Sequence, residues 1–243
     1  MAIQCFELKK DMKNKTKTLG SFKKLLATLF KYSYKIEILV RTPKLKIWEK
    51  DYIRNVVFCE SRFELYDYLQ KKIIGGNPIN YMEFGVAGGE TIHYWSKINQ
   101  EKSSKFYGFD TFTGLPQEWK GLLSDRPVGA FDCGGKIPNI DDSRVSFVKG
   151  IFEETLDEFL KKYENNNQLI IHNDSDLYSS TLYVLTKMDK FLKKNAIVIF
   201  DEFSNVMDEF RALEDYCISY NKKYRVIAST KDYYQQVAII FEN

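Results

Sequence analysis

Short apolar runs recur along the chain from about residue 59, and most are followed by a segment whose apolar residues lie three or four positions apart. Short runs of this kind indicate buried strands, and the longer spacing indicates amphipathic helices. The strands are predicted at 79–86, 105–112, 145–151, 168–174 and 196–203, and the helices at 90–99, 153–163, 178–193 and 208–221. The repeated order of strand, helix and strand predicts a parallel sheet that is covered by helices on both faces.

A further helix is predicted ahead of the first of these strands. Its apolar residues recur at helical spacing, at Phe63, Tyr66, Leu69 and Ile73. Gly75 and Gly76 follow them, and glycine just after the last periodic residue is a signal that a helix ends. We therefore expect the folded domain to begin at about residue 58.

The last two apolar segments predict a different connection. Residues 224–229 and 236–242 are both strand-like, and only residues 230–235 separate them. This link is too short for the crossover that joins parallel strands, so we expect an antiparallel hairpin. The predicted fold class is therefore α/β: a doubly wound, mostly parallel, seven-stranded Rossmann-like sheet that ends in an antiparallel hairpin and follows an N-terminal helical extension.

The start of the chain differs from the rest in charge, and we interpret residues 1–57 as a basic N-terminal extension of a domain at 58–243. Residues 1–50 carry 13 Lys and Arg against 4 Asp and Glu, whereas the remaining residues carry 23 against 29. Such a segment is either a solvated surface or a site for an anionic partner, such as a phosphorylated substrate or a membrane surface.

Two elements are predicted within this extension. Ser21 is a candidate N-cap of a short amphipathic helix, with an apolar face made by Phe22, Leu25, Leu26, Leu29 and Phe30. Docking on the domain or pairing with a second subunit is the commoner fate of such a face, and a homodimer is expected. Arg41 to Lys50 is predicted to be a connector, because Pro43 blocks a continuous helix. The uncharged run 25–30 is too short to span a membrane.

Cysteine and histidine positions exclude some site types. Cys5, Cys59, Cys133 and Cys217 are far apart and form no Cys-x-x-Cys pair, which favours reduced thiols in a cytoplasm. The two histidines, His93 and His172, are too few and too separated for a zinc site, and we interpret both as structural.

Two clusters of carboxylates end two of the predicted strands: Asp174 with Asp176, and Asp201 with Glu202. The carboxyl ends of strands in open α/β sheets form the crevice where ligands bind, so the four acids meet if the strands are neighbours. Like charges at close range raise one another's pKa unless a cation or a proton neutralises them. We therefore predict an active site with Mg²⁺ held by Asp176, Asp201 and Glu202, and with Asp174 as proton acceptor.

A glycine-rich turn, Glu83-Phe84-Gly85-Val86-Ala87-Gly88-Gly89-Glu90-Thr91, follows the first predicted strand. Glycine lets a backbone approach a cofactor, and the next helix N-terminus offers free N–H groups. Asp110, at the end of the second strand, is placed either to bind ribose hydroxyls or to cap a helix. The long irregular loop 113–142 is predicted to be a lid, in which Trp119 and Phe131 stack on a sugar or close the lid.

Several of these motifs together resemble the macrocin O-methyltransferase family of class I, S-adenosylmethionine-dependent, metal-dependent sugar O-methyltransferases. The resemblance is carried by three segments and covers about residues 58–242. They are Glu83-Phe84-Gly85-Val86-x-x-Gly89, Gly108-Phe109-Asp110-Thr111-Phe112-x-Gly114-Leu115-Pro116, and His172-x-Asp174-x-Asp176-Leu177-Tyr178-Ser179-Ser180-Thr181 followed by Asp201-Glu202-Phe203. One departure is Glu202, since the family usually has a second aspartate at that position.

The resemblance implies a class I methyltransferase fold, S-adenosylmethionine as methyl donor, and a divalent cation. Residues implied to contact the donor are Glu83, Gly85, Gly89, Thr91, Asp110, Thr111, Phe112, Gly150 and Phe152. It implies Asp174 as the general base, and Asp176, Asp201 and Glu202 as ligands of Mg²⁺ or another divalent cation. The implied acceptor is the hydroxyl of a nucleotide-linked or polysaccharide-precursor sugar, in a cytoplasmic enzyme without nucleic-acid partners.

Three alternatives remain at this stage. Related folds methylate catechol-like small molecules with a divalent metal, and a vicinal diol serves both classes. A hydroxylase needs an iron site, and the common non-haem type prefers two histidines and one carboxylate, whereas the predicted site is rich in carboxylates. A non-catalytic binding protein would use the fold to hold a partner through the basic extension.

Overall fold

The computed structural model describes residues 20, 23–24, 34–120 and 125–243. The chain divides into two compact units, Met1–Arg41 and Thr42–Asn243. The amphipathic helix predicted at 21–30 lies outside the described residues. Within the part of the chain that the structure describes, no helix combines the length and the apolar character that a membrane span requires. The second unit contains the sheet and the candidate site.

The connector predicted for Arg41–Lys50 is wrong, because these residues lie in helix α1, Tyr34–Tyr52, with Pro43 inside it. Proline removes one helical hydrogen bond, so packing has to offset that loss. The C-terminal half of α1 makes such packing contacts within the second unit. The ring of Trp48 lies 4.7 Å from that of Phe203 and donates a 3.0 Å hydrogen bond to the Tyr224 hydroxyl, and Tyr52 stacks on the same tyrosine at 4.7 Å.

The remaining helices match the sequence pattern closely. Helix α2, Arg62–Tyr68, continues as a π-helix, Leu69–Ile74, and stops at Gly75, which has the left-handed conformation that favours glycine. The others are α3 (Glu90–Ile98), α4 (Phe152–Leu160), α5 (Tyr178–Met188) and α6 (Glu209–Tyr220). Each of these four begins within one residue of its predicted start, whereas α4 and α5 end earlier than predicted.

Ten strands form two sheets within the described residues. They are β1 (Val57–Cys59), β2 (Ile79–Phe84), β3 (Lys105–Asp110), β4 (Trp119–Lys120), β5 (Asp125–Arg126), β6 (Val145–Lys149), β7 (Gln168–Asn173), β8 (Ile197–Phe200), β9 (Tyr224–Thr230) and β10 (Val237–Phe241). The main sheet has the order β1-β9-β10-β8-β7-β2-β3-β6, and β4 pairs with β5 in a separate two-stranded sheet. Strand β10 runs antiparallel to both of its neighbours, and the other pairs of the main sheet are parallel.

This topology confirms the predicted fold class, with one more strand in the main sheet than expected. The seven predicted strands are all present, and the additional β1 pairs in parallel with the hairpin strand β9. Strand β1 has only three residues, two of them exposed, so its sequence carries no alternating or apolar run that would predict a strand. The mixed sheet is thus Rossmann-like, with a short added edge.

The order of the strands also locates the candidate site. The chain proceeds from β2 outward to β3 and β6, and then crosses back to β7 on the other side of β2. Ligands in such folds bind where the strand order reverses, beyond the carboxyl ends of the strands. Strands β2, β7 and β8 are almost completely buried, so the loops that follow them are held on a rigid base.

Candidate active site

A cleft opens at the carboxyl ends of β2, β3 and β7, at the reversal of strand order. It contains about 650 Å³ that no protein atom fills, including space open to solvent, which is the usual size range of small-molecule sites. Its walls include the glycine turn, the first acid cluster and the lid loop, with Gly85, Asp110, Thr111, Phe131, Ile151, Phe152, Asp174 and Asp176 among the lining residues. The cleft therefore brings together motifs that are far apart in the chain.

The glycine turn after β2 packs directly against the loop that carries the first acid cluster. Gly85 has φ of 95°, and a Cβ atom at this position would lie 1.7 Å from the carbonyl oxygen of Asp174. The Asp174 amide in turn donates a 2.9 Å hydrogen bond to the carbonyl of Phe84. Only glycine fits here, and its absent side chain is what allows the turn and the acid loop to share one wall of the cleft.

Asp110 organises the same turn. Its Oδ2 accepts hydrogen bonds from the backbone N–H groups of Val86 and Ala87 at 2.7 and 2.8 Å, and its Oδ1 accepts one from Phe112 at 2.6 Å. The carboxylate therefore connects the loops after β2 and β3. Asp110 also lines the cleft, and the remaining lone pairs of its oxygens are available for the predicted contact with a ribose.

The predicted cofactor residues fall into two groups. Gly85, Asp110, Thr111 and Phe152 line the cleft. The others lie around it without forming its wall: Glu83 and Phe112 are buried in the interior, Gly89 and Thr91 form the start of α3, and Gly150 precedes α4. A direct cofactor contact is therefore better supported for the first group.

The two acid clusters meet, because β7 and β8 are neighbours in the sheet. Asp201 is 6% exposed and Asp176 is 7% exposed, whereas Asp174 keeps more of its surface open to the cleft. Asp176 has φ of 60°, a conformation that costs an aspartate energy and is enriched at functional sites. The four carboxyl groups thus lie close enough for the charges of Asp176, Asp201 and Glu202 to act on Asp174.

This crowding changes the acidity of the group. Burial, with the nearby charge of Asp201, raises the pKa of Asp174 well above its usual range, that of Asp176 to about 7 and that of Glu202 to about 8. Burial raises the pKa of Asp201 too, but His172 and Arg62 outweigh it and lower that pKa. The cluster therefore resists full ionisation unless a cation neutralises it.

Two oxygen atoms of the cluster support a cation. Asp201 Oδ1 and Glu202 Oε2 are buried without a hydrogen-bond partner among the described residues. Buried polar atoms are normally paired, so these two mark places where a partner is expected. Carboxylate oxygens are the donors that hard divalent cations prefer. Asp174 and Asp201, with His172, offer ligand atoms within 4.8 Å of one another, and the predicted ligands Asp176 and Glu202 are not in this group. The residues present therefore fit an ion.

His172 was interpreted from the sequence as structural, and the structure places it beside the acids. It is fully buried, with Nε2 3.6 Å from Asp201 Oδ1 and Nδ1 3.7 Å from Glu83 Oε2. Burial alone would lower its pKa, but the two carboxylates outweigh burial and raise it to about 10. A cation in the cluster would lower that pKa again, by the same electrostatics.

Two further acids, Asp208 and Glu209, were not predicted as site residues. Glu209 is fully buried and accepts hydrogen bonds from the Asn173 side chain at 3.0 Å and from the Glu202 amide at 2.9 Å, so it fixes the loops that carry both acid clusters. Asp208 accepts a 3.0 Å hydrogen bond from the Trp119 indole. Trp119 thus ties strand β4 of the lid loop to the site, whereas Phe131, 52% exposed, lines the cleft.

Comparison with known proteins supports the family resemblance that the sequence motifs indicate. Residues 136–229, fewer than half of the chain, match the family described as macrocin O-methyltransferase (TylF). The resemblance to this family is confirmed. The match includes the acid clusters and helices α4 to α6, and it ends in β9. No curated protein sequence matches the chain significantly.

Several solved structures with this fold are described as methyltransferases. CalS11, a calicheamicin methyltransferase, aligns with a TM-score of 0.55 at 19% identity over 84% of this chain and 92% of that one. A second, apo structure of CalS11, described as a TDP-rhamnose 3'-O-methyltransferase, aligns with a TM-score of 0.51 at 19% identity over 84% of this chain and 94% of that one. A structure named cmcI-D160 Mg-SAM aligns with a TM-score of 0.51 at 14% identity over 76% of this chain and 73% of that one. At these identities the alignments establish the fold.

Proposed function

We propose that this protein is an S-adenosylmethionine-dependent O-methyltransferase that acts on a sugar hydroxyl with the assistance of a divalent cation. The observation that carries the proposal is the cluster of four carboxylates, with two unpartnered buried oxygens among the described residues, at the reversal of strand order beside a glycine turn. Three similarities support it: the matched family, the TDP-rhamnose methyltransferase CalS11, and the Mg-SAM structure of cmcI.

The residues on one side of the cleft suit the methyl donor. The turn at Gly85 admits a ligand close to the backbone, Asp110 presents its carboxylate to a ribose, and Ile151 and Phe152 offer an apolar surface to an adenine. The other wall carries Asp174 and Asp176, where an acceptor hydroxyl would lie. Positioning does most of the work in this reaction, because a sulfonium methyl group is already activated.

The reaction needs one base. The acceptor oxygen forms a bond to the methyl carbon, the bond from that carbon to sulfur breaks with its electron pair left on sulfur, and the hydroxyl proton passes to a carboxylate. The sequence assigns the base to Asp174. Asp174 and Asp176 both line the cleft, and Asp174 also lies with Asp201 and His172 in one group of donor atoms, so Asp176 is the alternative base if Asp174 is a ligand of the cation.

The cation would be held by Asp201, Glu202 and whichever of Asp174 and Asp176 is not the base. When bound, it supplies positive charge that acidifies a neighbouring hydroxyl. A cytoplasmic location, a homodimer, an acceptor drawn from nucleotide-linked or polysaccharide-precursor sugars, and the division at residue 58 are parts of the same proposal. The absence of a nucleic-acid partner is also part of it.

Three matched substitutions test these roles. We expect Asp201→Asn to weaken Mg²⁺ and Mn²⁺ binding tenfold or more and to abolish cation-dependent turnover, while binding of S-adenosylhomocysteine changes less than about threefold. Calorimetric titration with each ligand measures both.

Asp174→Asn and Asp176→Asn distinguish the cation ligand from the base. The variant that loses affinity for the cation marks the ligand. The variant that loses turnover but keeps its affinity for the cation marks the base. Unchanged turnover of Asp201→Asn in chelated buffer would contradict the role of the cation.

A further inference from the structure

The buried histidine completes a set of donor atoms that differs from a carboxylate-only site. His172, Asp174 and Asp201 each offer one ligand atom, and these atoms all lie within 4.8 Å of one another. We propose that the imidazole Nε2 of His172 is itself a ligand of the cation, so that the site is a mixed nitrogen and oxygen site that prefers Mn²⁺ or another transition metal to Mg²⁺. This inference rests on the proposed function, which places a cation in the cluster.

Hydrogen bonds on the far side of the ring determine which nitrogen is available. Tyr81 donates its hydroxyl proton to Glu83 Oε2 at 2.5 Å, so the Tyr81 oxygen is left to accept from Nδ1 of His172, 3.0 Å away. In the neutral ring, which a bound cation would favour, Nδ1 therefore carries the proton and Nε2 presents a lone pair. Metal-ligating histidines are typically oriented in this way, with the second ring N–H donated to an oxygen.

Nε2 points toward the acids and makes no short hydrogen bond among the described residues. Its nearest polar neighbours are the Tyr66 hydroxyl at 3.4 Å and Asp201 Oδ1 at 3.6 Å, both beyond the usual range for a hydrogen bond. Within the same described part of the chain, Asp201 Oδ1 is also unpartnered, on a side chain that is 9% exposed. The Nε2 atom of His172 and a carboxylate oxygen of Asp201 therefore face each other across a gap of 3.6 Å.

The size of this gap suits an ion. Ligand atoms at about 2.0–2.2 Å from a metal lie roughly 3–4 Å from one another. The distance between Nε2 and Asp201 Oδ1 already falls in this range, and modest side-chain shifts bring Asp174 into it. Imidazole nitrogen suits Mn²⁺, Fe²⁺, Co²⁺ and Zn²⁺ better than Mg²⁺, which prefers oxygen alone. The donor set thus determines the class of metal.

The chain offers a direct spectroscopic test, because it contains only two histidines and the other, His93, is exposed on α3. Untagged protein labelled with ¹⁵N-histidine is stripped with chelator, loaded with Mn²⁺, and measured by electron spin-echo spectroscopy. We expect a ¹⁵N coupling to Mn²⁺ in the wild type and in the control His93→Asn, and no coupling in His172→Asn. By calorimetry, His172→Asn should lose Mn²⁺ affinity tenfold or more and Mg²⁺ affinity less than about threefold.

Asparagine is chosen because its amide N–H lies near the position of Nδ1 and retains the hydrogen bond toward Tyr81. The wild-type spectrum decides the question even if this variant does not fold. Bound Mn²⁺ without ¹⁵N coupling in the wild type would overturn the proposal and leave the proposed function standing. Failure of Mn²⁺ to bind a protein that still binds S-adenosylhomocysteine would overturn the histidine site and the cation role together, and failure to bind either ligand would count against the methyltransferase function itself.

Discussion

The backbone at Gly85 lies so close to the Asp174 carbonyl group that no side chain would fit between them. Gly85 leaves space for the Asp174 backbone, and this single contact sets the distance between the glycine turn and the first acid cluster. Asp110 then fixes the turn by accepting hydrogen bonds from two of its backbone N–H groups. The shape of the cleft is thus set by backbone positions, and the acidic side chains are placed upon them.

A substitution at Gly85 tests this arrangement. We expect Gly85→Ala to weaken binding of S-adenosylhomocysteine at least tenfold, because a Cβ atom 1.7 Å from the Asp174 oxygen forces the two loops apart. Gly88→Ala is the matched control, since a Cβ there meets no atom within 4 Å among the described residues. Calorimetry of both variants measures the difference. Equal affinities would show that the loops adjust without cost.

The sequence predicts that Asp174, Asp176, Asp201 and Glu202 follow the ends of two strands, because apolar runs precede them. That the two acid clusters meet depends on the pairing of β7 with β8, which the structure shows and the sequence leaves open. The roles of His172 and Glu209 do not follow, because both depend on contacts between separate elements. A lone histidine in a strand and a glutamate at a helix start have ordinary structural explanations, and only the packed structure shows that both face the acid clusters.

At the scale of elements, α1 shows that tertiary packing can override a local signal. Pro43 favoured a connector at residues 41–50, yet the segment is helical because its aromatic residues pack on the sheet domain. Long-range contacts of this kind carry no signal in the local sequence. The helices α3 to α6 were predictable because their apolar periodicity agrees with their packing.

We expect Trp48→Ala to lower the free energy of unfolding by about 3–5 kcal/mol, the range for truncating a large buried aromatic side chain. Trp48 is 5% exposed, and it contacts Phe203, Phe210 and Tyr234 as well as Tyr224. Ile47→Ala is the control, because Ile47 is 61% exposed on the same helix. Urea denaturation measures both variants. Similar losses for the two would contradict this packing of α1.

The end of α3 depends on an ion pair whose effect varies with pH. Arg144 donates to the carbonyls of Ser96 and Asn99 at 2.7 Å and to both oxygens of Asp142. The hydrogen bonds from Arg144 hold the pKa of Asp142 below its usual value, against the opposing effect of burial. The stabilisation is therefore present above the unfolded pKa of about 3.9 and is lost as the pH falls below the folded value.

Asp142→Asn should reduce the free energy of unfolding by about 1–2 kcal/mol at pH 7, because it removes a charge-assisted hydrogen bond. At about pH 3 the wild type has lost much of this advantage, so the difference between the two proteins should shrink. Asp141→Asn, at the exposed neighbouring position, is the control and should change little at either pH. Urea titrations at the two pH values provide the comparison. A difference that is the same at both would exclude the carboxylate as its source.

The whole molecule combines a fold that many proteins of different function share with an arrangement of acidic residues that belongs to this site. The alternation of strands and helices, the terminal hairpin and the position of the cleft at the carboxyl ends of the strands were predictable, since they follow from periodicity and connection length. The added strand β1 and the hydrogen bond from Trp119 to Asp208 were not, because each depends on a partner far away in the chain. We expect the choice of acceptor to depend likewise on the shape of the lid loop and not on the sheet.

The central claim is that the cleft binds S-adenosylmethionine beside a cation held by carboxylates. The most direct measurement is a calorimetric titration of the purified protein with S-adenosylhomocysteine, first with Mn²⁺ or Mg²⁺ present and then with chelator. We predict one binding site per chain in both buffers, together with cation binding that Asp201→Asn removes. A protein that binds neither S-adenosylhomocysteine nor a divalent cation would contradict the account, and the glycine turn and Asp110 would then be structural features of the sheet.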